Sequence, residues 1–119
     1  AQIEHIDAVN NLDSIFGVPG LDGYIVGPYD LSGSMDIPGD FEAPEFLKAL
    51  EQIKSISIDH QMPGGVHLIE PDPDELEKLI HEGNRFIAYS VDIRMLDVAA
   101  RNGLNEMINI PPIIFAKAS

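Results

Sequence analysis

Short apolar segments alternate with longer amphipathic ones along the chain. The apolar segments cover residues 1–6, 23–27, 64–69 and 85–90 and are rich in Ile, Val and aromatic side chains. The second and fourth are near-continuous apolar runs, a pattern typical of parallel strands that are covered on both faces. We therefore predict four β-strands at these positions.

The segments between the predicted strands carry the spacing of amphipathic helices. The first helix is predicted over residues 8–16, with Asp7 as its cap and an end before Gly17. The second is predicted within residues 43–58, where apolar side chains recur at i, i+4 and i+7. These side chains are Phe46, Leu50 and Ile53.

The third predicted helix has the clearest start. Asp72 stands as a cap, Pro73 takes the first helical position, and two acids follow in the first turn. We expect Gly83 to end this helix. A fourth helix is predicted after the last strand, with Asp92 as a possible cap and Gly103 as its end. The expected buried stripe of the third helix consists of Leu76, Leu79 and Ile80.

This order predicts an α/β fold of four βα units, with parallel strands joined by right-handed crossovers. No strand end carries the glycine fingerprint of a dinucleotide or P-loop site. Four βα units are half of a (β/α)8 TIM barrel, which typically needs about 250 residues. Because a half-barrel leaves two strand edges open, we expect the 119-residue chain to be a piece of a longer protein or to pair with copies.

Both ends of the chain support an expectation of incompleteness. The sequence starts without Met, inside a predicted strand. The tail, residues 105–119, ends in NIPPIIFAKAS, where Pro111-Pro112 forbids a regular helix. This apolar tail is either a contact in a homo-oligomer or a disordered or altered end, and the sequence favours neither.

Charge and composition argue against several classes of function and site. The formal net charge of −13 opposes binding to nucleic acid and to anionic membranes, because no cluster of Lys and Arg replaces counterions. The absence of Cys excludes disulfides and thiolate metal sites and is compatible with the cytoplasm. No apolar run approaches the roughly 18 residues that span a bilayer.

Chemistry in parallel βα folds gathers where strands end. Glu4 lies at the end of the first predicted strand and Asp30 follows the second, so their carboxylates could converge at one rim. Two such carboxylates suit a hard divalent cation, Mg²⁺ or Mn²⁺. The alternative is that each acid is a helix cap or a solvated rim residue. The other polar residues at strand ends are His5, His67, Glu70, Ser90 and Asp92.

These other residues have simpler interpretations. Asp92 is expected to cap a helix, and Glu70, which precedes a proline, to end a strand. His5 and His67 are more often packing or hydrogen-bonding residues than metal ligands, because no His-x-x-x-His pair supports them.

The stretch QIEHIDAVNNLDSIFGVPGLDGYIVGPYDLSGS closely resembles the HpcH/HpaI aldolase family. The shared pattern is Q-x-E, a short helix with N-L, V-x-G-x-D-G and G-P-x-D-L-S. The later GGVHLIEPDP and EGNRFIAYSVDIRML resemble the last two barrel strands of that family. The resemblance covers about residues 1–104 and implies the C-terminal half of a (β/α)8 barrel, of the pyruvate type found in 2-dehydro-3-deoxyglucarate and 4-hydroxy-2-oxoheptanedioate aldolases.

The resemblance also implies roles for individual residues. The metal-binding Glu of the family falls on Glu4 and its metal-binding Asp on Asp30. Gln2 falls on a glutamine that reaches the bound oxo-acid, and the backbone N–H groups of Tyr29 and Asp30 fall where the family grips the substrate carboxylate. The implied reaction is the cleavage or formation of a 4-hydroxy-2-oxo acid from pyruvate and an aldehyde through an enolate, with Mg²⁺ or Mn²⁺.

The family's catalytic His and its substrate-binding Arg lie on the first half of the barrel. None of the four His or of Arg85, Arg94 and Arg101 matches them. We therefore expect no catalytic base and negligible activity in these 119 residues alone. Two alternatives remain: a CoA-ester lyase or citrate-forming enzyme of the same family, or an inactive half-barrel that pairs with itself.

Overall fold

The computed structural model of the protein describes residues 1–108, so the tail from Asn109, with its Pro111-Pro112 pair, lies outside the described residues. The described part contains one parallel sheet of order β1-β2-β3-β4. Each strand lies within a predicted segment, which confirms the four strands, although the first is much shorter than residues 1–6. The strands are β1 (Gln2–Ile3), β2 (Tyr24–Val26), β3 (Gly64–Leu68) and β4 (Phe86–Tyr89).

Helices follow every strand. Within residues 1–108 none of them is both long and apolar enough to cross a membrane. The helices are α1 (Ile6–Asn10), α2 (Leu12–Phe16), α3 (Pro28–Ser34), α4 (Pro44–Asp59), α5 (Pro73–His81) and α6 (Asp92–Ile108).

The prediction for the first helix is wrong in its cap and its continuity. Asn11, with φ −121° and ψ 19°, interrupts the segment and separates α1 from α2. The cap is His5, whose Nδ1 accepts the backbone N–H of Asp7 at 3.1 Å. Asp7 itself lies in the first turn, where a negative charge is stabilised by the helix dipole.

The segment after β2 is helical. Pro28 starts α3, since its fixed φ suits the first helical position. An N–H group at that position makes no hydrogen bond within the helix, so proline loses nothing by lacking one. Ser34 Oγ accepts the backbone N–H of Ile6 at 2.9 Å, which ties the end of α3 to the start of α1. Asp30 therefore lies on a helix that is fixed to the β1 connection.

The core lies between the sheet and α1, α2 and α4. As predicted, Phe46 and Ile53 are buried on α4, whereas Leu50 is only half-buried. Burial of each large apolar side chain contributes about 1.5–3 kcal/mol. The buried side chains of this core include Ile3, Val9, Leu12, Phe16, Val26 and Phe46.

The helix α5 begins as predicted. Asp72 Oδ1 accepts the backbone N–H groups of Asp74 at 2.9 Å and Glu75 at 3.3 Å, and Gly83 follows the helix with a φ of 97°. The predicted buried stripe is wrong, because α5 has no buried residue. Ile80 is 51% exposed, and the other two apolar side chains are half-buried.

The predicted end of the last helix is also wrong. The helix α6 passes through Gly103 and continues to Ile108. A glycine within a helix costs only about 1 kcal/mol, which the helix-forming residues around it offset. Asp92 is the first residue of α6, and its carboxylate accepts the backbone N–H of Ile93 at 2.8 Å, close to the predicted capping role.

Alternation along the strands gives the sheet two different faces. Ile3 and Val26 are buried in the helix-side core, and Val66 packs against it. These three residues are partners in the parallel register. Because successive side chains of a strand point to opposite faces, the residues on either side of them face away from the helices.

Candidate active site

Glu4 lies directly after β1, on the face away from the helices. Gln2, two residues earlier on the same face, donates a hydrogen bond from Nε2 to Glu4 Oε1 at 2.6 Å. The Glu4 side chain is half-buried, and the contact fixes one oxygen of its carboxylate. The structure thus brings together two of the residues that the sequence singled out.

Gly27 supplies the space that Glu4 occupies. The backbone N–H of Gly27 donates to Ile3 O at 3.1 Å, which extends the pairing of β1 and β2. A Cβ on Gly27 would stand 2.9 Å from Glu4 Oε1 and 3.0 Å from its Cγ. Only glycine accommodates the carboxylate in this position, and Gly27 is also the residue that caps α3.

Asp30 lies in the first turn of α3 and is exposed. Within the described residues, the backbone N–H groups of Tyr29 and Asp30 have no intramolecular acceptor, as expected for the start of a helix. The ring of Tyr29 packs edge-on against Phe41, with centroids 4.9 Å apart. Glu4 thus contacts the cap of the same helical turn that carries Asp30, but that the two acids share a metal ion stays a prediction.

The donors that this rim offers are two carboxylates, those of Glu4 and Asp30. Among the side chains that the structure describes, no three of His, Asp or Glu cluster closely enough to hold a metal by themselves. Mg²⁺ is usually held by one or two carboxylates, with water and substrate oxygens completing its shell. With one Glu4 oxygen bonded to Gln2, the other oxygen and the exposed Asp30 carboxylate are the donors that such an ion would use.

A second polar group lies further along the same sheet. His67 is half-buried near the end of β3, and its Nε2 lies 3.2 Å from the carbonyl oxygen of Ser90. Ser90 is buried and has a φ of 62°, in the left-handed region that non-glycine residues seldom adopt. Hydrogen bonding was the expected role for His67, but no sequence pattern identified its partner.

Glu70 does more than end a strand. Arg94, on α6, donates to both Glu70 oxygens through Nε at 3.0 and 3.2 Å, and it also contacts Asp97. The hydrogen bond from Arg94 holds the pKa of Glu70 below its ordinary value, and the same bond raises the pKa of Arg94. This pair joins the loop after β3 to the helix after β4. No local sequence pattern predicts it, since the partners lie 24 residues apart.

Comparison with known proteins decides the family. The profile of the HpcH/HpaI aldolase/citrate lyase family matches residues 1–99. The chain belongs to this family. A 2-keto-3-deoxy-L-rhamnonate aldolase from Klebsiella pneumoniae is 37% identical over 92 residues, which cover 76% of this chain and 33% of the relative. A 4-hydroxy-2-oxo-heptane-1,7-dioate aldolase from Salmonella paratyphi C is 34% identical over 114 residues, 91% of this chain and 42% of the relative.

Solved structures of HpcH/HpaI aldolases agree. The aldolase from Desulfitobacterium hafniense superposes with a TM-score of 0.83 and 28% identity, over 97% of this chain and 44% of that one. A Burkholderia cenocepacia protein of the aldolase/citrate lyase family gives a TM-score of 0.82 at 27% identity. The chain thus spans less than half the length of these relatives. The predicted fold class, four βα units forming half of a (β/α)8 barrel, is confirmed, as is the family resemblance.

Proposed function

We propose that this chain forms the metal-binding half of a carbon-carbon lyase, an aldolase that cleaves or forms 4-hydroxy-2-oxo acids from pyruvate and an aldehyde. The observation that carries the proposal is the Glu4 carboxylate, held by Gln2 against Gly27 at the start of α3. Membership of the HpcH/HpaI family supports the class of reaction.

Glu4 and Asp30 are the residues that would hold Mg²⁺ or Mn²⁺. A bound divalent cation would stabilise the negative charge that develops on the keto oxygen when a proton leaves the methyl group of the oxo-acid. Gln2 keeps Glu4 in one orientation through its 2.6 Å hydrogen bond. This orientation leaves the second oxygen of Glu4 available to the ion.

The start of α3 is the proposed site for the substrate carboxylate. The backbone N–H groups of Tyr29 and Asp30 have no intramolecular acceptor in the described part of the chain. Pro28 contributes no N–H group, so these two are the first donors of the helix. Contact of the Tyr29 ring with Phe41 fixes this turn against the segment that precedes α4.

Proton transfer needs a base that these residues do not supply in the proposed mechanism. We therefore place the base and the arginine that binds the oxo-acid on the remainder of a longer protein. The 119-residue chain alone is expected to show negligible aldol cleavage with Mg²⁺ or Mn²⁺. Robust turnover by the isolated chain would contradict this part of the proposal.

Titration calorimetry with Mn²⁺ tests the metal site. Glu4→Gln and Asp30→Asn are each expected to weaken Mn²⁺ binding by at least about tenfold, since even indirect partners of a metal site often cost that much. Asp74→Asn removes the same charge from the exposed start of α5 and serves as the matched control. Equal Mn²⁺ affinity in the wild type and both site variants would refute the shared site.

Measuring the mass in solution completes this test. A dimer of the isolated chain that binds no Mn²⁺ would favour a self-pairing module over an aldolase half. Mn²⁺ binding that requires both Glu4 and Asp30 would favour the aldolase half.

A further inference from the structure

Three consecutive strands place Glu4, Gly27 and His67 in one row. Ile3 is paired with Val26, and Val26 with Val66. The next residue on each strand is therefore Glu4, Gly27 and His67, and all three face away from the helix-side core. With strands about 4.8 Å apart, the backbones of Glu4 and His67 are separated by roughly 10 Å. Gly27, between them, carries no side chain, and the Glu4 carboxylate lies in the space beside it. No side chain of β2 therefore separates the carboxylate from the imidazole.

The hydrogen bond to Ser90 determines the tautomer of His67. A carbonyl oxygen only accepts, so the 3.2 Å contact requires a hydrogen on His67 Nε2. Ser90 is held in place because its own N–H donates to Leu68 O at 2.6 Å. In the neutral imidazole, Nδ1 then carries a lone pair. Among residues 1–108, no group donates a hydrogen bond to this atom.

We propose that His67 binds substrate by accepting, at Nδ1, a hydrogen bond from a hydroxyl group on the aldehyde-derived part. The inference rests on the proposed function, in which a metal ion at Glu4 and Asp30 would hold the oxo-acid end near β1 and β2. The rest of a short-chain substrate would then extend from the Glu4 carboxylate toward β3. The lone pair on Nδ1 accepts a hydrogen bond only from a donor, such as a hydroxyl group. His67 therefore selects hydroxyaldehydes over aldehydes that lack the hydroxyl group.

The simpler role for His67 is structural, as a tie between β3 and β4 through Ser90. Three substitutions separate the roles. His67→Gln can place an amide N–H near the position of Nε2 and keep the bond to Ser90, but it puts no acceptor at the position of Nδ1. His67→Asn can place its amide oxygen near the position of Nδ1, but it is too short to reach Ser90. His67→Leu removes both contacts while keeping a similar volume.

The test uses the full-length protein that carries this chain, with pyruvate and Mn²⁺. The kcat/KM for glycolaldehyde is divided by that for acetaldehyde, which lacks only the hydroxyl group. This ratio cancels damage to the shared pyruvate site. We expect His67→Gln and His67→Leu to lower the ratio about threefold to tenfold, the range for one hydrogen bond, and His67→Asn to keep it near the wild-type value.

Exchange of the methyl protons of pyruvate in the wild type, measured by NMR without an aldehyde, tests the proposed function separately. No Mn²⁺-dependent exchange would overturn both proposals. With exchange present, an unchanged ratio in His67→Leu would overturn the role of His67 alone. A ratio kept by His67→Gln and lost by His67→Asn would assign His67 to the structural tie and also overturn it. The expected pattern, with exchange present, supports both.

Discussion

The carboxylate of Glu4 lies against Gly27, in the space where any other residue would carry its Cβ. That Cβ would stand 2.9 Å from Glu4 Oε1 and 3.0 Å from Glu4 Cγ. Contacts this short require one group to move, and the Gly27 backbone is fixed by its bond to Ile3 O and by its capping position on α3. The Glu4 side chain is therefore the part that yields.

Gly27→Ala should displace Glu4 and weaken metal binding without unfolding the protein. We expect a loss of about tenfold or more in Mn²⁺ affinity by titration calorimetry, comparable to the loss of a partner that orients a metal ligand. Gly33→Ala, on the same helix, is the control, because a Cβ there meets nothing within 4 Å. Normal Mn²⁺ affinity in Gly27→Ala would show that Glu4 is not a ligand or that it finds another orientation.

Gly65→Ala should destabilise the sheet, because its Cβ would overlap the backbone carbonyl of Phe86 on the neighbouring strand. We expect the free energy of unfolding, from urea denaturation, to fall by about 1–3 kcal/mol, as for overpacked sites. Gly103→Ala gives the opposite result. Its Cβ meets nothing within 4 Å in the middle of α6, so a gain of about 0.5–1 kcal/mol is expected. Equal effects at both positions would contradict the described packing.

Asp72→Ala should remove the cap of α5. The carboxylate accepts the N–H groups of Asp74 and Glu75, and loss of such a cap costs about 0.5–2 kcal/mol. Asp72→Asn keeps a side-chain oxygen in place and should retain most of this stability. Urea unfolding monitored by circular dichroism distinguishes the two variants, and identical curves would argue against capping by the side chain.

The Glu70–Arg94 pair should make stability depend on acid pH. The hydrogen bond from Arg94 lowers the pKa of Glu70 in the folded state from an ordinary value of 4.5. A lowered carboxyl pKa contributes stability that is present above the unfolded-state pKa and is lost as pH falls through the folded-state pKa. The stability difference between wild type and Glu70→Gln should thus be constant near neutral pH and shrink below about pH 4.5.

Thermal unfolding of both proteins between pH 3 and pH 7 measures this difference. Asp74→Asn, which alters an acid with no ion-pair partner among the described salt bridges, serves as the control. A difference that grows on acidification would have the wrong sign for a stabilising pair.

Local chemistry explains how much of the fold was predictable. The strands and the start of α5 are predictable because their signals are local. An apolar run marks its own strand, and Asp72-Pro73 marks the helix that begins at the same residues. The wrong predictions concern positions where two local signals compete. At the first helix, His5 is the cap and Asp7 is not. At the last, α6 continues through Gly103, because one glycine destabilises a helix less than the helix-forming residues on both sides stabilise it.

In the candidate site, contacts between near neighbours in the sequence are predictable, and contacts between distant residues are not. Gln2 and Glu4 were identified because they are near neighbours within a specific motif, and the structure joins them directly. The contacts of His67 with Ser90 and of Glu70 with Arg94 bridge 23 and 24 residues, so they depend on strand register and helix placement. A single sequence carries no local signal of such distances. Burial of the apolar side chains of α5 likewise depends on which other element packs against that helix, and the sequence of α5 does not contain this information.

The three pairs Ile3-Glu4, Val26-Gly27 and Val66-His67 each couple one residue of the helix-side core to one residue of the opposite face. One residue of each pair thus belongs to the hydrophobic core and its neighbour to the face where the site is proposed. Under the proposed role of His67, a substitution at position 67 would change the preferred aldehyde and leave the core side chain of Val66 in place.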